Sequence, residues 1–153
     1  MGFELTSRAF RGDQPIPKEH TCDGEDISVP LAWKDSPSQT QSFALVVEDP
    51  DAPGKTFVHW VLFDLPGDVS ELRAGIGRHE SLPGNATQGV NDFGNLGYNG
   101  PCPPKGPAHH YHFKLYALDR PTGLPPKATR QSVLAAIKGH VLAEAELIGT
   151  FKR

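Results

Sequence analysis

The sequence predicts a mainly β domain with a sandwich-like core and little helix. Three observations carry this. Gly and Pro, at 16 and 15 of 153 residues, interrupt the chain too often for a helical bundle. At least five segments are patterned as strands. One stretch alone has the cap, apolar stripe and stop signal of a helix. The length suits one domain with one sizeable core. Hydrophobic residues at 37% and charged residues at 22% are a globular mixture.

Phe3–Phe10 is the first expected strand and Pro30–Trp33 a short second one, set off by the turn-forming Cys22-Asp23-Gly24. Ser42–Glu48 is a continuous apolar run, the pattern of a strand buried on both faces. Asp49-Pro50-Asp51-Ala52-Pro53-Gly54 stops it, because two prolines and a glycine cannot continue a ladder. Thr56–Leu65 follows. A period of two puts Phe57, His59, Val61, Phe63 and Leu65 on one face and Val58, Trp60, Leu62 and Asp64 on the other. Residues 66–108 form a long irregular excursion, a kind of segment that is often functional in compact domains. His109–Asp119 returns to strand, with His109, Tyr111, Phe113, Leu115 and Ala117 on one face. Thr129–Lys138 is the helix, capped by Thr129 and ended by Gly139, with Val133, Leu134, Ala136 and Ile137 as its stripe. Val141–Phe151 is the closing strand.

The net charge of -3 comes without a block of like charge, which argues against a nucleic-acid face or a polybasic membrane patch. The N-terminus lacks a basic stretch followed by an apolar run, and no apolar run reaches the ~20 residues of a membrane span. A cytoplasmic protein is expected. Cys22 and Cys102 fit two reduced thiols in such a protein, or a disulfide tying an early loop to the proline-rich loop. Sequence alone leaves both open.

Two strand ends concentrate polar groups beside stiff backbone. Asp49 and Asp51 precede His59, and Pro103-Pro104 precedes His109. If the two strands are neighbours, both imidazoles face one cavity beside carboxylates that favour their protonated form. Backbone N–H groups of the Gly-rich loop would complete an anion site. The blander readings are core histidines with satisfied hydrogen bonds, and aspartates that cap their own turn. Tyr111 and Trp60 read first as packing residues. His109-His110-x-His112 does not read as a zinc site, since alternation turns His110 and His112 away from His109 and no Cys-x-x-Cys accompanies them. Gly-x-Ser-x-Gly and phosphate-loop motifs are missing, so no catalytic residue, metal or cofactor is expected.

These residues resemble the phosphatidylethanolamine-binding protein family, which includes Raf kinase inhibitor protein, and especially its shorter bacterial and archaeal branch. The resemblance rests on Asp49-Pro50-Asp51-Ala52-Pro53 with His59-Trp60, and on Gly100-Pro101-Cys102-Pro103-Pro104-Lys105-Gly106 with His109-His110-Tyr111. Residues 21–28 and 139–147 resemble that branch as well, so the likeness covers nearly the whole chain. It implies two packed antiparallel sheets with one or two short helices, and an anion pocket at one end. Asp49, Asp51, His59, Gly100, Pro103, Pro104, His109 and Tyr111 are the implied ligand-binding residues. A phosphate, phosphomonoester or phospholipid headgroup is the implied ligand, in a regulatory binding protein rather than an enzyme. A kinase or protease is an implied partner, and the resemblance allows a homodimer. Inhibition of a kinase or protease through the loops, and hydrolysis by a carboxylate–histidine pair, stand as alternatives. The chain departs from animal members in ending after the last strand, without the helix that borders the pocket there. Cys102 is inserted before the two prolines, and one residue fewer separates Lys105-Gly106 from His109. The first difference implies a more open pocket or one closed by another subunit, and together they argue against carrying kinase inhibition over literally.

Overall fold

A computed structural model describes residues 2–79 and 82–153. The longest strands, β3 (Ser42–Asp49), β4 (Phe57–Pro66), β7 (His109–Leu118) and β8 (Val141–Phe151), lie with the short β6 (Thr87–Gln88) in one antiparallel sheet ordered β6-β4-β3-β7-β8. A small antiparallel sheet ordered β1-β2-β5 packs on it, from β1 (Glu4–Thr6), β2 (Leu31–Lys34) and β5 (Glu71–Leu72). The expected sandwich of two antiparallel sheets is therefore present. Between the sheets, Leu5, Leu31 and Trp33 meet Phe43, Leu45, Trp60, Leu62, Phe113 and Leu115.

The large sheet is buried on its other side too. Ala44, Val58, Val61, Phe63 and Leu118 pack there with Val133 and Ile137 of helix α1 (Arg130–Ile137). Every residue of β3 is consequently buried, as its continuous apolar run required. The helix has the expected cap, with the Ser132 amide donating to Thr129 Oγ1 at 3.2 Å.

Four readings need correction. The first strand covers only Glu4–Thr6, because Ser7 Oγ donates to Pro30 O and accepts from the Ala9 amide, bending the chain out of the sheet. The excursion after β4 holds two short strands, β5 and β6 (Thr87–Gln88), too brief for a periodicity signal. A 3-10 turn at Lys18–His20 was also not anticipated. Finally, β4 does not alternate strictly. Its register against β3 slips between Val47 and Glu48, opposite His59, and again between Phe43 and Leu45, near Asp64. Trp60, Leu62 and Leu65 thereby face the core between the sheets, while Val58, Val61 and Phe63 face the helix. Asp64 sits at φ 60° in the second bulge and accepts from the Thr122 amide and hydroxyl and from the Gly123 amide.

Candidate functional site

The strand order β4-β3-β7 brings three strand ends together at one end of the large sheet: the last residue of β3, Asp49, and the starts of β4 and β7. A cavity of about 180 Å³ opens there. Asp49, His59, Pro103, Pro104, His109 and Tyr111 line it, together with Ala52, Pro53, Phe57, Phe93 and Cys102. Six of the eight residues singled out in the sequence thus meet at one cavity.

Asp49 organises one wall. Its Oδ2 accepts from His109 Nδ1 at 2.6 Å and its Oδ1 from the Asp51 amide at 2.8 Å, with both side chains of the Asp49–His109 pair buried. Tyr111 lies beside it, and burial with the nearby Asp49 pushes its hydroxyl well above the usual tyrosine range. His59 forms the opposite side. Its Nδ1 donates to Asn99 O at 2.7 Å, and the Asn99 amide donates back to His59 O at 3.1 Å. Rings surround it, Phe57 and Tyr111 each at 5.2 Å between centroids and Phe93 at 5.5 Å. Carboxylates were expected to favour its protonated form. Burial instead holds its pKa below the ordinary 6.5, outweighing the carbonyl of Asn99 and the more distant Asp49.

Asp51 and Gly100 do not line the cavity. Asp51 is exposed, and its Oδ2 accepts from the His110 amide at 2.9 Å and from His110 Nδ1 at 2.7 Å. The His110 hydrogen bond holds the Asp51 carboxyl below the usual aspartate value. The pair pins the 49–54 loop to β7. Gly100 supports the far wall: its amide donates to Asp26 Oδ1 at 2.8 Å, and a Cβ there would stand 2.0 Å from His20 O. His112 pairs with Glu146 at 3.0 Å, so His110 and His112 both turn from the cavity as alternation required.

Contrary to expectation, the 97–100 part of the Gly-rich loop turns amides to protein acceptors rather than to a ligand. Those of Gly97, Asn99 and Gly100 donate to Gly89 O, His59 O and Asp26 Oδ1. Pro103 and Pro104 have none.

Three further contributors brace the walls, of which the sequence reading anticipated only the first, as one of two alternatives. Cys22 and Cys102 are joined, so the disulfide is the alternative that the structure adopts. It fastens the proline wall to the early loop, next to a hydrogen bond from the Cys22 amide to Pro101 O. Asp26 and Asn99 form the second contributor. Asn99 Nδ2 donates to Asp26 Oδ2, and Asn99 Oδ1 accepts from Asn91 and Asn95. Phe93 is the third, on a tip where Asn91 Oδ1 accepts from the Phe93 and Asn95 amides. The signals available were the asparagines at 91, 95 and 99 and an aromatic among turn residues, neither of which is specific.

The sequence profile of the phosphatidylethanolamine-binding protein family matches residues 6–152. The chain belongs to that family. Within it, a UPF0098 protein of Methanothermobacter thermautotrophicus is 48% identical, with 99% of each chain covered. Another from Aquifex aeolicus is 47% identical over 99% of this chain and 89% of the relative. Among solved structures, a family homologue from Chlamydia trachomatis superposes with TM-score 0.90 at 39% identity, covering 99% of this chain and 98% of that one. Escherichia coli YbcL, described as a new member of the mammalian family, gives TM-score 0.93 at 34% identity, covering 100% and 99%. No helix among the described residues is long and apolar enough to cross a membrane.

Proposed function

We propose that this family member binds a small phosphate-like anion in the cavity and acts by binding rather than turnover. One observation carries the reading: two buried imidazoles commit Nδ1 to protein acceptors and line the same small cavity, which leaves each ring its Nε2 for a ligand. For His59, whose pKa burial lowers, the Asn99 carbonyl on Nδ1 leaves the neutral ring with its lone pair on Nε2. Donation to an anion therefore requires a second proton on the ring, or a hydrogen carried in by the ligand, as on a monohydrogen phosphate. Proton uptake accompanies binding in the first case.

Calorimetric titration with methyl phosphate tests this. The wild-type protein binds saturably, and His59→Ala or His109→Ala weakens binding by about 1.5–3 kcal/mol, the worth of a charge-assisted hydrogen bond. Two variants that bind like wild type would remove the assignment. Turnover of a phosphomonoester, lost in Asp49→Asn, would replace binding by hydrolysis. Inhibition of a kinase or protease that survives both histidine substitutions would move the function to the loops.

A cytoplasmic setting belongs to the same reading, and it requires Cys22–Cys102 to persist where thiols are usually kept reduced. Alkylation of thiols at the moment of cell lysis reads this directly. Two blocked cysteines per chain would show that the bond is not formed there.

A further inference from the structure

The walls of the cavity suit more than a bare anion. No lysine or arginine lines it, and its one acidic side chain, Asp49, opposes negative charge. The neighbouring amides of Gly97, Asn99 and Gly100 are taken by protein acceptors. Most of the remaining surface is carbon, from Ala52, Pro53, Phe57, Phe93, Pro103 and Pro104. A doubly charged inorganic anion would lose its hydration there without a fixed cation to replace it. The space is also more than a bare oxyanion uses. At about 180 Å³ it compares with the roughly 150 Å³ apolar cavity that accommodates benzene.

Phe93 is the feature that neither the fold nor the histidine pair requires. Among the described residues, three large apolar side chains are exposed, and Phe93, at 43%, is the one at the cavity. It is held in place rather than loose. The Asn91 side chain accepts from the amides on both sides of Gly94, which turns at φ 84°. The ring meets Phe57 edge-on at 4.8 Å between centroids and stands 5.5 Å from His59. A held, part-exposed aromatic at the cavity is a surface for stacking.

We propose that the site selects a singly charged anion joined to an aryl group, with the charge on the histidine pair and the aryl part between Phe93, Phe57 and the proline wall. This rests on the anion reading above and names its ligand class, with a carboxylate and a phosphodiester sharing the required chemistry.

Calorimetry at pH 7 with benzoate, acetate, dimethyl phosphate, inorganic phosphate and uncharged benzamide separates the two claims. Benzoate binds more tightly than acetate and inorganic phosphate. Phe93→Ala lowers the benzoate affinity about two- to ten-fold, the range for an aromatic pair, and lowers the acetate affinity by a smaller factor. Dimethyl phosphate binding above inorganic phosphate assigns the charged group to phosphodiesters as well, and binding below it restricts the class to carboxylates. Acetate or inorganic phosphate equal to benzoate, or a Phe93→Ala variant with unaltered benzoate affinity, overturns the inference while the anion site stands. Benzamide equal to benzoate overturns the anion reading and this one with it, as does the absence of binding by all five probes.

Discussion

His59 shows what burial does to a single titratable group. Its pKa in the folded protein lies below that of a free imidazole because the surrounding apolar matter penalises its charge more than Asn99 and Asp49 favour it. In the unfolded chain the same ring protonates near 6.5. As pH falls below that value the unfolded state binds more protons than the folded state, so stability declines. Above it the contribution is present in full. Urea unfolding between pH 8 and pH 5, in a buffer free of small anions, is expected to show a steeper loss for the wild-type chain than for His59→Gln. Parallel curves would mean that this imidazole is not the coupled group. Residue identity was the most legible level of the site. His59, His109, Asp49 and the two prolines were marked by their places at strand ends, whereas Tyr111 read as a packing residue and entered the site only through the family resemblance. Phe93 was not marked, because its significance lies in a tip that only the asparagine hydrogen bonds create.

At the level of elements, the legible parts were those with a strong period or a continuous apolar run. The strands β3, β7 and β8 and the helix fall where the sequence put them, within a residue or two at each end. Bulges were not legible. A register slip in β4 depends on its partner strand, and it alters which residues share a face without altering the composition of either strand. The segment at 97–100 was read as a donor of amides and is instead a brace. Its glycine is required by proximity, since a methyl group at position 100 would meet both His20 O and Asp26 Oδ1. Gly100→Ala is expected to destabilise the protein by about 1–3 kcal/mol through this overpacking. It should also weaken ligand binding, because the Asn99 carbonyl that orients His59 is the next group along the chain. Thermal unfolding and titration on the same sample check both effects. An unchanged melting temperature would show that the loop yields freely.

Across the whole molecule, one covalent bond joins positions 80 apart in sequence. Spacing alone could not choose between that bond and two thiols, since pairing depends on the distance the fold imposes. Replacing Cys22 and Cys102 together by serine is expected to cost about 2–4 kcal/mol, mainly by freeing the unfolded chain. A double variant that unfolds at the wild-type denaturant concentration would contradict this. The outer border of β8 has its own protection. Residues 13–16 run beside it, with the Asp13 and Ile16 amides donating to Ile148 O and Thr150 O and the Thr150 amide to Gln14 O. The stretch of β8 before that cover carries Glu144 and Glu146. A chain in which residues 13–16 were displaced from this border would bare the hydrogen-bonding groups of Ile148 and Thr150. Its hazard would then be self-association, strand against strand between copies, with the remaining glutamates as the only deterrent.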